Sequence, residues 1–128
     1  MSIHLTAIVT SVQLISSIIC SASESVGDAV YFSTNDTVTR ASASSINTAK
    51  VCGFIDSKQS ATECTIRVGG LLEKSGLTAN NKYFLSTTLG AVSSTPPTGS
   101  GQVVVQLGLA KSATSLLVEI SSNRLIKA

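Results

Sequence analysis

The stretch Glu63-Cys64-Thr65-Ile66-Arg67-Val68-Gly69-Gly70 decides the fold class. Cys64, Ile66 and Val68 fall on one face, Glu63, Thr65 and Arg67 on the other, and two glycines stop the run. A repeat of two is the mark of a strand with one buried face, whereas a helix would return its apolar residues every three or four positions. Upstream, Val51 to Ile55 reads as another strand, and Asn35-Asp36 reverses the chain between Ala29–Phe32 and Thr37–Arg40. Asn and Asp suit that turn because their short side chains bond the local backbone and tolerate left-handed angles. Ala41 to Thr48 is small and polar, a loop or a single helical turn.

Downstream, the same punctuation continues. Leu71 to Leu77 ends in Ser75-Gly76, Tyr83–Ser86 follows a polar turn, and Gly90 reverses the chain again. Val103, Val105, Leu107 and Leu109 are expected on one face of a strand, and Leu116, Val118 and Ile120 on one face of the next. Asn123 to Ala128 offers one more edge. Many short strands with frequent turns and no helix pattern specify an all-β fold, a small antiparallel β-barrel or sandwich. Connections this short leave no room for parallel crossovers. Gly27, Gly53, Gly76, Gly90 and Gly108 are expected where the backbone needs positive φ or a close approach.

The first twenty residues read differently. Ile3, Leu5, Ala7 and Val9 alternate with Ser2, His4, Thr6 and, imperfectly, Ile8, and Val12-Gln13-Leu14-Ile15 follows. The sequence divides into an extended apolar N-terminal arm, residues 1–20, and a β-domain, residues 21–128. Such an arm must be covered by its own domain or by another chain, because an open apolar strand edge invites pairing. A secretory signal is not expected: no Lys or Arg precedes the apolar stretch, and Ile19 is too large beside a cleavage point that prefers small residues. Thr6, Thr10, Ser11, Gln13, Ser16 and Ser17 interrupt it too often for a membrane-spanning helix.

Composition narrows the function. The 128 residues make one domain with one modest core. Nine basic against seven acidic residues leave a net charge of +2 with no basic run, too little to hold nucleic acid through its phosphates. His4 is the sole imidazole, so a Ser or Thr nucleophile would lack a base. Asp56 and Glu63 are the one carboxylate pair that suggests a dyad, and a solvated place flanking a surface loop with Lys58 is the better account of them. Cys20, Cys52 and Cys64 lack the close spacing of a zinc site and read as small buried hydrophobes, with a Cys52–Cys64 disulfide left open. No catalytic residue, cofactor, metal, membrane or small-molecule substrate is expected.

Two blocks are familiar as sequence. Cys20-Ser-Ala-Ser-Glu-Ser-Val-Gly-Asp-Ala-Val-Tyr-Phe-Ser with Ala49-Lys-Val-Cys-Gly-Phe-Ile-Asp-Ser-Lys is one. Gly76-Leu-Thr, Tyr83-Phe-Leu-Ser, Thr95-Pro-Pro-Thr, Gly101-Gln-Val-Val and Leu107-Gly-Leu-Ala-Lys-Ser-Ala-Thr-Ser-Leu-Leu-Val make the other. Together, over residues 20–128, they resemble a small β-barrel domain of tailed-bacteriophage virion proteins found in capsid decoration (cement) proteins, with related segments in tail fibres. The resemblance implies a homotrimer on the capsid surface of the virion, bound to the major capsid protein and linking shell subunits. The alternative is a tail, fibre or baseplate component with a receptor-binding role, for which Tyr31 and Tyr83 are the only tyrosines and no Trp exists. Expected interface residues are Ile3, Leu5, Ala7, Val9, Val12 and Leu14 in the arm, able to add a strand to a neighbour's sheet, and Pro96 and Pro97 in a stiffened loop.

Overall fold

The computed structural model describes residues 13–128. In chain order the strands are β1 (Leu14–Ile19), β2 (Ala29–Thr34), β3 (Thr37–Arg40), β4 (Gly53–Ser60), β5 (Glu63–Arg67), β6 (Gly70–Glu73), β7 (Lys82–Leu85), β8 (Val92–Ser93), β9 (Val103–Val104), β10 (Gln106–Ser112), β11 (Ser115–Val118) and β12 (Leu125–Ile126). No helix occurs among the described residues, and Ala41 to Thr48 is an irregular loop.

The alternating stretch is β5. Cys64 and Ile66 are fully buried, Val68 packs against them and Glu63 is exposed. Around them β1, β3, β2, β4 and β5 close into a barrel in that order. Four of its junctions are antiparallel and the fifth, β1 with β3, is parallel through the single pair Ile19 and Thr37. This corrects the expectation of purely antiparallel neighbours. Antiparallel pairing alternates strand direction, and an odd ring cannot alternate all the way round. The segment from Cys20 to Asp36, which contains β2, makes the crossover that parallel pairing needs.

β6, β11, β10, β7 and β8 form a second sheet in that order, with every neighbouring pair antiparallel, and β9 pairs with β12. The chain therefore builds two cores, where its length led to the expectation of one. Ile18, Cys20, Val30, Val38, Ile55, Cys64 and Ile66 fill the barrel. Ala29 and Phe54, on the outside of the barrel wall, meet Leu72, Leu85, Leu107 and Leu116 of the second sheet, with Ala43 and Val51 from the intervening loops.

Backbone bonds fasten the halves. Gly90 accepts from the Ala29 amide (2.9 Å) and donates to Ala41 (2.8 Å). Its φ is +75°, and a Cβ there would lie 2.9 Å from Asp28 Cγ, so only glycine fits. Ala43 continues the seam, donating to Ser86 and accepting from Val103 (both 2.9 Å).

Two expectations change. β1 is a wall of the barrel, so the boundary placed at residue 20 falls inside the domain. On the C-terminal strands, Val103, Val105 and Leu107 are fully buried as expected, but Leu109 turns to the opposite face and Ala110 takes the core position. The register explains it: Gln106 faces Phe84 and Gly108 faces Tyr83, so β10 carries one extra residue and its phase flips.

Candidate interaction surface

Of the eight residues expected at an interface, three are described, and they lie on different halves of the molecule. Ile3, Leu5, Ala7, Val9 and Val12 lie outside the described residues, as does His4. Leu14 opens β1 on the outer barrel wall, 39% exposed, beside Ile15 and Ile19. A bulge sets this arrangement. Ile15 faces Ile66 and Ile18 faces Cys64, an excess of one residue on β1, with Ser17 at φ +62°. Ile18 therefore enters the barrel while Leu14, Ile15 and Ile19 stay outside.

Pro96 and Pro97, both half-buried, belong to the other half of the molecule. They rim a cleft of about 310 Å³ with Ser86, Thr87, Ser93 and Gln102. The loop is tied down locally: Gln102 Oε1 accepts from Gly99 N (2.8 Å), and the Gln102 carbonyl accepts from Lys127 N (2.8 Å). Its lining of hydroxyls and one amide can accept and donate hydrogen bonds.

The ionisable groups hold the structure together. Asp56 Oδ1 accepts from Arg67 Nε (2.8 Å), and Arg67 Nη1 also reaches the Gly69 carbonyl. Asp56 lies near the Ile55–Ile66 pair, whereas Glu63 faces Ser60 at the hairpin's far end, so the two form no dyad. They lie on the two strands of the β4–β5 hairpin, on either side of its turn. Lys58 Nζ caps the barrel, donating to the carbonyls of Ser21 (2.8 Å) and Glu24 (2.7 Å). Buried Glu24 accepts from the amide and hydroxyl of Ser21. Lys74 Nζ donates to the Gly27 carbonyl (3.0 Å), and burial lowers its pKa, partly opposed by Asp28.

All three cysteines are free thiols. Cys52 Sγ donates to Val30 O, and burial pushes its pKa up to about 11. Cys64 contacts Cys20 inside the barrel. Burial, then the hydrogen bond with the Cys20 thiol, pushes Cys64 up to about 12. Thiols held protonated in this way are poor nucleophiles.

Other apolar residues are exposed that were not anticipated. Leu71, exposed, and Leu117 and Leu109, both half-buried, occupy paired positions on β6, β11 and β10 and form a row across the outer face of the second sheet. With Asn80, Ala110 and Lys111 they line a shallow groove. Leu125 and Ile126 of β12 are more than half exposed. The adjacent pair Leu71-Leu72 was the available signal, because two successive strand residues cannot both face one core. Comparison of the chain with protein-family models, curated proteins and solved structures finds no match.

Proposed function

We propose that this protein is a structural component of a tailed-bacteriophage virion, a decoration protein that docks on the outside of the head and links shell subunits. The observation that carries this is the distribution of side chains. Apolar residues stand outside on both halves, at Ile15 and Ile19 on the barrel and at Leu71 and Leu125 elsewhere, while Asp56, Lys58 and Lys74 are engaged within the fold. Scattered apolar contacts suit multivalent attachment, in which each docked copy or contact raises the effective concentration of the next. A three-fold assembly would supply that linkage on a symmetric shell. Support also comes from the resemblance of residues 20–128 to cement-protein domains. Against the tail-adhesin alternative, Tyr83 is buried with its hydroxyl accepting from Thr78 N, and Tyr31 packs on the larger core, so neither offers a free aromatic platform.

The test is to incubate purified protein with heads stripped of surface proteins, sediment them, and count bound copies by quantitative mass spectrometry. Hundreds of copies per head and greater resistance to heat are expected. Failure to co-sediment, or tens of copies confined to tails, would overturn the proposal.

A further inference from the structure

The barrel interior brings together two thiols that are far apart in the sequence. In the β1–β5 ladder Ile18 faces Cys64 and Ile19 faces Glu63, and the Cys20 amide donates to Thr62 O (3.1 Å). Cys20 therefore continues that ladder past Ile19, with its side chain on the inward face that Ile18 and Cys64 share. The two thiols sit diagonally on neighbouring strands, and the curvature of a closed five-strand wall makes inward side chains converge. They are in hydrogen-bonding contact. The other partner of Cys20 Sγ is the Ala61 carbonyl, at 3.7 Å.

Cys52 stands apart from this pair. It precedes β4 and lies well before Lys58, the β4 residue that faces Cys64. At about 3.3 Å per residue the two cysteines are on the order of 15–20 Å apart along the wall, whereas a disulfide spans at most about 7 Å between Cα atoms. Cys52 Sγ donates instead to Val30 O (3.5 Å).

We infer that Cys20 and Cys64 are the disulfide pair of this fold: exposed to glutathione disulfide they join across β1 and β5, and Cys52 stays outside the bond. One cysteine, as its thiolate, attacks a sulfur of glutathione disulfide and expels a glutathione thiolate. The other then attacks the mixed disulfide and expels the second. Two S–H bonds give way to one S–S bond, the protons end on the two glutathiones, and the oxidant takes both electrons. Burial holds Cys64 protonated in the closed barrel, so the exchange runs while the chain folds or when the barrel opens. The link encloses β2, β3 and β4 and so restricts the unfolded chain over most of the barrel.

Refolding the reduced chain in a buffer of glutathione and glutathione disulfide tests it. The product is expected to be lighter by two hydrogens, with the tryptic peptides of Cys20 and Cys64 joined and that of Cys52 separate. Cys52→Ala is expected to keep that bond and Cys20→Ala to lose it. The oxidised protein should unfold at higher urea than the reduced one, a shift that a reductant reverses. Native protein held in the same buffer with enough urea to open the barrel should reach the same product, which keeps the test open should refolding fail. Unlinked cysteines after both treatments, a bond that includes Cys52, or a lower urea midpoint on oxidation would overturn the assignment.

Discussion

Phe54 and Ile55 are neighbours in β4, both fully buried, and they belong to different cores: Phe54 to the one between barrel and sheet, Ile55 to the barrel interior. β4 is therefore a wall shared by both halves, and neither core forms without it. Phe54→Ala is expected to cost about 3–5 kcal/mol and Ile55→Ala about 2–5 kcal/mol. Each should move the melting of the whole molecule. Tyrosine signal reports the larger core, since Tyr83 lies in it and Tyr31 packs against it, and Cys64 reactivity toward a thiol reagent reports the barrel. The two probes should give one midpoint in the wild type and in both variants. Separate midpoints would mean that the halves unfold independently.

Gly108 is the second point of dependence. A Cβ there would collide with the Leu117 carbonyl, backbone that cannot swing aside. Gly108 also sits at the bulge that turns Leu109 outward and Ala110 inward. Gly108→Ala should thus push β10 from β11 and cost more than the 1–3 kcal/mol typical of overpacking. A urea midpoint within error of wild type would show that the strands separate without cost.

Much of this was legible in the chain. The alternation of Cys64, Ile66 and Val68 identified β5 and its buried face, and Asn35-Asp36 marked the hairpin turn, where Asp36 takes φ +56°. What escaped were features set by pairing. Ser16 and Ser17 look like interruptions of an apolar arm, yet they form the bulge that seats Ile18 inside the barrel. The parallel contact of Ile19 with Thr37 follows from closing a five-strand ring, which no local pattern encodes. The phase change at Gly108 depends on pairing with Tyr83 and Phe84, and with it went the leucine row of the candidate surface. Pro96 and Pro97 were found as a stiff loop, but the cleft they rim needs Ser86 and Gln102 from elsewhere in the chain.

Ser17 holds a left-handed backbone angle, φ +62°, that favours glycine. Its hydroxyl is exposed at the bulge. Ser17→Gly should remove the strain at the expense of greater freedom in the unfolded chain, for a net gain of up to about 1 kcal/mol. A chemical denaturation curve checks it; loss of stability would show that the serine side chain contributes more than its backbone angle costs.

Alkaline pH should destabilise the fold through its thiols. Cys52 and Cys64 rise from 9.0 to about 11 and about 12 in the folded protein, mainly by burial. Once the pH passes 9, the unfolded chain releases these protons while the folded one keeps them, so the stability that is fully present below pH 9 declines as pH rises. The window runs to about 11 for Cys52 and about 12 for Cys64, with a slope on the order of 1 kcal/mol per pH unit for each thiol. Lys74 acts in the opposite sense. Its folded pKa lies below 10.5, so the folded state loses that proton first and gains stability with rising pH up to that value. Two thiols against one lysine leave a net decline. Cys64→Ala isolates the cause: it should be less stable than wild type at pH 7, from the lost packing, yet fall less steeply between pH 9 and 10.5. Thermal melts of both proteins across that interval are the measurement, and parallel curves would assign the decline to some group other than Cys64.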